Sequence, residues 1–147
     1  LMAAEAYNET GKDRQKAWDL LNSVRTRAEA TSITEANYDE MMSVRKKTHN
    51  LTFIDDSTPE GKFRTALYWE RGFELAFEGQ RKYDLIRWGV LGKALKLFGE
   101  ISSVNQKENK PYPAYRNFTE GKHELFPISL KEIQSNPKLN GMNNNGY

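Results

Sequence analysis

The sequence predicts a mainly α-helical protein, in which a helical hairpin packs on further helices that long loops connect. Three observations predict this class. Apolar side chains recur every three or four residues in several segments, which is the spacing of one helix face. Residues that cap helix N-termini, such as Asp13 and Ser129, precede such segments, and glycine or Asn-Pro follows them. Aromatic residues make up 12% of the chain, too many for a disordered tail.

Residues 1–30 predict the hairpin. Its first helix ends at Gly11, a residue suited to the left-handed position that follows a helix, and Asp13 can cap a second helix that runs to about residue 30. Small side chains allow the two helices to approach closely; these are Ala3, Ala4, Ala6 and Ala17. The pattern resembles one tetratricopeptide unit, but no second copy follows at the expected spacing of about 34 residues.

Residues 57–98 predict the central helices. A weaker helix is expected before them, over residues 35–47, with Thr34 as its cap and with Tyr38, Met41, Met42 and Val44 as its candidate core. Ser57-Thr58-Pro59-Glu60 then combines a hydroxyl cap, a proline in the first turn and Glu60 three residues after Ser57. We expect the long helix that starts there to reach Gly79, and shorter helical segments to follow.

The last third of the chain predicts loops and a tail. Residues 101–122 have the composition of a loop, with two prolines at its centre. Residues 123–147 predict a tail that contains a helix of about two turns. Ser129 and Glu132 form the capping box of that helix, and Asn136-Pro137 ends it.

Composition disfavours several classes of function. The 147 residues carry 22 Lys and Arg against 20 Asp and Glu, spread evenly, so no segment builds the positive field that binds nucleic acid. No apolar run approaches the ~20 residues of a membrane-spanning helix. There is no cysteine for a disulfide or a thiolate metal site. With two histidines and no nucleotide-binding glycine motif, the sequence predicts no metal and no cofactor.

A dense group of charged residues lies between residues 70 and 88. Its members are Glu70, Arg71, Glu74, Glu78, Arg81, Asp84 and Arg87. The four-residue spacing of the three glutamates would put neighbouring side chains about 6 Å apart on one helix face. That distance suits the two carboxylates of a glycoside hydrolase, with Glu74 and Glu78 as the pair. We favour a structural network, because charges interleaved with aromatic residues are partly buried and nearby arginines would neutralise them and lower their pKa.

A second candidate site is aromatic. Tyr112, Tyr115 and Phe118 lie in the predicted loop among asparagine, glutamine and arginine residues. Aromatic faces flanked by hydrogen-bond donors can bind sugar rings, which makes these three residues a candidate carbohydrate site. The alternative, which we favour, is that the three rings hold a long loop on the core.

The charged segment resembles the C-terminal signature of the SusD/RagB family of Bacteroidetes outer-membrane lipoproteins. The matching residues are Glu70-Arg71, Glu74-Leu75-Ala76-Phe77-Glu78-Gly79, Arg81, Asp84-Leu85 and Arg87-Trp88-Gly89. The hairpin resembles the family's tetratricopeptide-like hairpin in Ala4-Glu5-Ala6, Gly11, Leu20-Leu21-Asn22, Val24-Arg25 and Arg27-Ala28. The tail resembles that of the family in Phe126-Pro127-Ile128, Glu132-Ile133, Asn136-Pro137 and Gly146-Tyr147.

The sequence departs from the family pattern at four positions. Gly72 stands where a second arginine is frequent, and Ser129 stands where a proline often follows Pro-Ile. Asn143 and Asn145 replace a glutamine and a proline of the closing motif. Gly72 would weaken the long helix by about 1 kcal/mol relative to alanine.

The resemblance implies a non-catalytic protein that binds glycans or other nutrients. It implies attachment to the extracellular face of the outer membrane through an N-terminal lipid, and delivery of the ligand to a SusC-like TonB-dependent transporter. On this interpretation residues 1–147 are the C-terminal portion of a longer SusD-like domain, and the anchor lies outside them. Two alternatives stay open: a tetratricopeptide-type protein-interaction scaffold, and the weaker glycoside hydrolase.

Overall fold

The computed structural model describes the backbone of residues 1–105 and 113–147 and the side chains of residues 1–101 and 114–147. In these ranges the chain is helical and contains no strand, which confirms the predicted class. The α-helices are α1 Met2–Thr10, α2 Arg14–Arg27, α3 Tyr38–Thr48, α4 Pro59–Glu74, α5 Arg81–Arg87, α6 Leu91–Asn105, α7 Pro113–Asn117 and α8 Leu130–Ser135. A 3-10 turn, Pro137–Leu139, follows α8.

The chain divides into two compact units, Leu1–Asp84 and Leu85–Tyr147. The division falls inside α5 and therefore inside the segment that we predicted as the central helices. In the first unit α1 and α2 pack on each other, and both contact α4. Trp18 and Phe63 meet edge to face at the centre of this packing, with ring centroids 4.9 Å apart. The largest fully buried side chains of the unit are Tyr38, Phe63, Leu21, Ile33, Met42 and Leu67.

Local sequence signals set the ends of the hairpin helices. Gly11 has the predicted left-handed conformation, with φ of 64°, and Asp13 caps α2 by accepting a hydrogen bond of 2.9 Å from the backbone N–H of Lys16. The second helix ends at Arg27, three residues before the predicted end. The turn that follows has Glu29 at a φ of 56°, which takes the backbone out of the helical path.

The third helix starts later than predicted. Thr34 and Asn37 instead form a turn, in which each side-chain oxygen accepts a hydrogen bond from the other residue's backbone N–H. Tyr38 and Met42 are buried as expected, but Val44 is 70% exposed, so its place in the predicted core is wrong. Tyr38 and Met42 share one face of α3, because they are four residues apart. Val44 follows Met42 by two residues and therefore points away from that face.

The long helix α4 ends sooner than predicted. Its N-terminal cap is Thr58, whose hydroxyl accepts a 3.1 Å hydrogen bond from the backbone N–H of Gly61. It stops at Glu74 instead of reaching Gly79, because residues 75–79 form turns in which Phe77 and Gly79 have φ of 65° and 74°. A non-glycine residue in this left-handed region does not continue a helix. Glu78 therefore lies outside α4.

The second unit holds more helix than the sequence predicted. The prediction of a loop over residues 101–122 is wrong where α6 continues to Asn105 and where α7 spans Pro113–Asn117. These two helices pack on each other. At Gly99 an added Cβ would lie 2.8 Å from the Tyr115 ring, and at Gly92 it would lie 2.8 Å from the Phe118 ring. The two glycines therefore leave the space into which these rings pack.

Asparagine side chains attach the C-terminal tail to residues 121–128. The amide of Asn143 accepts a 2.7 Å hydrogen bond from the backbone N–H of Ile128 and donates one of 3.3 Å to the carbonyl of the same residue. Asn144 donates to the carbonyl of Phe126 at 2.6 Å. Earlier in the tail, Ser129 caps α8 as predicted, by accepting a hydrogen bond from the N–H of Glu132.

Candidate functional site

The first glutamate of the charged segment is bound by an arginine of the hairpin. Glu70 on α4 receives a 2.6 Å hydrogen bond from Arg25 on α2, and both side chains are buried. Arg25 also donates through Nε to the carbonyl of Thr31 at 2.8 Å. The buried carboxylate thus has the guanidinium partner that a buried charge needs, and the pair links the hairpin to the central helix.

A second buried ion pair lies farther along the segment. Arg71 Nε donates to Asp84 Oδ2 at 2.7 Å, and these side chains are 8% and 5% exposed. Next to them Arg81 donates to the carbonyl of Tyr68 at 2.8 Å and covers the Tyr68 ring, with 3.8 Å between guanidinium and centroid. These contacts fix the start of α5 against α4.

The remaining charged residues of the segment lie at the surface. Glu74 pairs with Arg27 on α2, and Glu78 and Arg87 are exposed. The guanidinium of Arg87 lies 4.8 Å from the centre of the Trp88 ring. The expected row of three glutamates on one helix face is wrong, because α4 ends at Glu74.

The two hairpin arginines were not predicted as partners. We expected arginines of the charged segment itself to neutralise the glutamates, whereas Arg25 and Arg27 bind Glu70 and Glu74. A signal for Arg25 was present, because Ala17, Leu21 and Arg25 follow each other at four-residue spacing on one face of α2. A charged residue that continues an apolar stripe is buried and needs a partner.

This arrangement is poorly suited to acid catalysis. Glu70 and Glu74 each bind a guanidinium through the carboxylate, whereas a general acid must present a carboxyl group to the substrate. Within the parts of the chain that the structure describes, no three His, Asp or Glu side chains come together as a metal-ligand set. None of the described helices is long and apolar enough to span a membrane.

The structure places two of the three predicted aromatic residues. Tyr112 lies outside the described residues. Tyr115 and Phe118 are both half-buried, with their rings against α6 at Gly99 and Gly92. These two contacts hold α7 and the turn that follows it on α6.

A different aromatic group, which we did not predict from the sequence, lies on the surface of the first unit. Trp69 and Phe73 on α4 stack with centroids 6.1 Å apart and ring planes 20° apart. Arg45 on α3 covers both rings, and His49 meets Trp69 edge to face at 6.1 Å. These four residues will be called the Arg45 cluster. Arg45 and His49 meet Trp69 and Phe73 because α3 packs near α4. The one local signal in the sequence was the four-residue spacing of Trp69 and Phe73, which puts their rings on one face of α4.

A small cleft adjoins the Arg45 cluster. Its lining residues are Met42, Arg45, Lys46, His49, Asn50, Leu51, Asp56, Thr65 and Trp69. It encloses about 10 Å³, the space of about one water molecule. A sugar ring cannot enter a cleft of this size, whereas a single polar substituent can reach its mouth.

Comparison with known proteins places the chain in a family. The sequence model of the SusD family matches residues 1–147. The chain belongs to the SusD family. SusD-like protein P25 of Formosa agariphila is 36% identical over 149 aligned residues, which cover all of this chain and 23% of that protein. SusD-like protein P2 of the same organism is 31% identical over 147 residues, again all of this chain and 24% of the relative.

This SusD-family chain spans about a quarter of the length of the two curated relatives. No solved structure matches it significantly. Family membership confirms the resemblance seen in the charged segment, the hairpin and the tail. In this SusD-family chain the charged segment contains two buried ion pairs, and the Arg45 cluster lies on the surface of the first unit.

Proposed function

We propose that this protein binds glycans or related nutrients at the cell surface without catalysing their breakdown. The observation that carries the proposal is the match of the SusD family over the whole chain. The two similar relatives carry the same family name and align with every part of the chain.

The ion pairs of the charged segment support a non-catalytic function. A glycoside hydrolase needs one carboxyl group that holds a proton and a second one that faces the same sugar. Glu70 and Glu74 instead bind Arg25 and Arg27, and the exposed Glu78 lies beyond the end of α4. We propose that the charged segment is a structural network, in which Glu70, Arg71, Arg81 and Asp84 hold α2, α4 and α5 in place.

Delivery to a transporter is the second part of the proposal. We infer that the protein acts at the extracellular face of the outer membrane, held by a lipid anchor outside residues 1–147, and transfers its ligand to a SusC-like TonB-dependent transporter. Family membership supports this inference. In a cell fractionation, we expect the intact protein in the membrane fraction. In a pull-down from that fraction, we expect a TonB-dependent transporter to co-purify with it.

The aromatic residues Tyr112, Tyr115 and Phe118 are the candidate carbohydrate site from the sequence. Tyr115 and Phe118 are half-buried, so each keeps part of its ring accessible. Replacing Tyr115 with leucine would keep the packing on Gly99 and remove the flat ring. Weaker sugar binding by this variant supports a site here, and unchanged binding places the site elsewhere.

The test of the function is direct binding. The intact protein is screened on a glycan array, and affinities for the positive glycans are measured by calorimetry. The bound glycans are then recovered and analysed by chromatography. We expect saturable binding and intact glycan chains. Shortened chains would favour the glycoside hydrolase, and binding of peptides in place of sugars would favour the interaction scaffold.

A further inference from the structure

The Arg45 guanidinium carries a positive charge and forms no ion pair with any carboxylate that the structure describes. Across the described side chains, no Asp or Glu oxygen lies within ion-pair distance of Arg45. The guanidinium donates a weak hydrogen bond of 3.9 Å to the sulfur of Met42. The guanidinium lies instead against rings, 4.8 Å from the centroid of Phe73 and 5.5 Å from that of Trp69.

The surroundings of Arg45 make this charge available to an anion. Burial lowers the pKa of the Arg45 guanidinium, and the positive charge of Arg25 acts in the same direction. Glu70 attracts Arg45, but its carboxylate already binds Arg25 at 2.6 Å. An arginine stays charged under these conditions. Partial removal of water strengthens its attraction for an anion relative to a fully exposed arginine.

Aromatic surface lies beside this charge. Phe73 is 54% exposed, so part of its ring is free of protein contacts. Trp69 stacks with Phe73, and His49 meets the Trp69 ring edge to face. The apolar C–H face of a pyranose ring packs on flat aromatic surface of this kind, while donors at its edge set the orientation.

We propose that Arg45, Trp69 and Phe73 form a subsite for a sugar residue that carries a carboxylate or a sulfate group. The proposal rests on the glycan-binding function proposed above. The pyranose ring lies on the exposed part of Phe73, and its anionic group accepts hydrogen bonds from the Arg45 guanidinium. Because the adjoining cleft has room for about one water molecule, the ring stays outside and the substituent points inward.

The experiment measures binding of three matched oligosaccharides to the intact protein by calorimetry. They are a tetragalacturonate, a sulfated galactan tetrasaccharide and an unsulfated galactan tetrasaccharide. Arg45→Met keeps the apolar stem and removes the charge. We expect this variant to bind at least one anionic sugar about tenfold more weakly, with the neutral sugar changed less than about twofold. A loss confined to one anionic sugar identifies carboxylate or sulfate as the recognised group.

Lys47→Met is the matched control, because Lys47 is an exposed cation of the same helix that does not line the cleft. Equal losses in the two variants, or unchanged anionic binding in Arg45→Met, would overturn the subsite. Phe73→Leu is the second variant, used if Arg45→Met fails to fold. We expect it to weaken binding of the anionic sugar, and a Phe73→Leu protein with the affinity of the wild type would overturn the proposal. If neither Arg45→Met nor Phe73→Leu affects binding while the neutral sugar still binds, the subsite alone is refuted. If the protein binds no sugar on the array, the proposed function is refuted.

Discussion

Arg25 and Glu70 form a buried ion pair of 2.6 Å that joins the second helix of the hairpin to the central helix. The two residues are 45 positions apart in sequence. Arg25 also binds the carbonyl of Thr31, so one guanidinium fixes both the central helix and the turn after α2. The attachment of the hairpin therefore includes a buried polar contact, in addition to the more exposed ion pairs Arg27–Glu74 and Arg64–Glu9.

Loss of Arg25 should destabilise the protein strongly. Arg25→Met leaves Glu70 charged and buried without its partner, which costs about 3–5 kcal/mol of the free energy of unfolding. Denaturant unfolding of the intact protein measures this loss. The double variant Arg25→Met/Glu70→Leu removes both charges and should recover a large part of it.

An exposed residue of the same helix provides the comparison. Lys16 lies at the surface of α2, and Lys16→Met should change stability by less than about 0.5 kcal/mol. Arg25→Met costing no more than Lys16→Met would show that the buried ion pair does not hold the hairpin in place.

The ion pair between Glu9 and Arg64 should make stability sensitive to acid. It joins α1 to α4, and the hydrogen bond from Arg64 holds the pKa of the Glu9 carboxyl below its ordinary value of 4.5. A carboxylate with a lowered folded-state pKa contributes stability above its unfolded pKa and loses that contribution as pH falls through the folded value. Since both side chains are partly exposed, the contribution is at most about 1 kcal/mol.

Melting temperatures of wild type and Glu9→Gln, taken between neutral pH and pH 2, measure this contribution. The wild type should be the more stable protein at neutral pH, and the difference should vanish at the acid end. High salt should also reduce it, because it screens partly exposed charges. A difference that persists at pH 2 would assign the effect of the substitution to lost packing and not to charge.

Asn143 should control the order of the C-terminal tail. Its amide makes two hydrogen bonds to the backbone of Ile128, so Asn143→Ala leaves a half-buried N–H and carbonyl without these partners, at about 1–3 kcal/mol. Hydrogen exchange at the amide of Ile128 should accelerate. Asn143→Asp keeps the acceptor for that amide and should protect it better than alanine does. Equal protection in the two variants would contradict the assigned contact.

The sequence predicted those parts of the fold that neighbouring residues determine. Gly11, Asp13 and Ser129 act through contacts with residues three or fewer positions away, and all three have the predicted roles. The end of α4 could not be predicted, because helical periodicity continues through Phe77 while the left-handed φ of that residue ends the helix.

Contacts between distant residues were beyond the sequence. Arg25 and Glu70 belong to different helices, and nothing in the spacing of either helix names the other residue as its partner. The Arg45 cluster depends in the same way on how α3 lies near α4. Both candidate sites predicted from the sequence were therefore single segments, the charged segment and the aromatic loop. The Arg45 cluster, in contrast, combines residues from two parts of the chain.

Two glycines of α4 should respond in opposite directions to alanine. In a helix, alanine is favoured over glycine by about 1 kcal/mol. At Gly72 the added Cβ would lie 3.6 Å from the nearest atoms, those of the Arg81 guanidinium, which is ordinary contact, so Gly72→Ala should gain most of that amount. At Gly61 the same atom would overlap the backbone carbonyl oxygen of Asp55.

The close contact at Gly61 should outweigh its helix propensity. The chain before α4 would have to move, and the hydrogen bond from the Gly61 N–H to the Thr58 hydroxyl would be strained with it, so Gly61→Ala should lose about 1–3 kcal/mol or more. Denaturant unfolding of the two variants side by side measures the contrast. If both variants are more stable than the wild type, the segment before α4 yields to the new methyl group at Gly61. If both are less stable, the space beside Arg81 at Gly72 is needed.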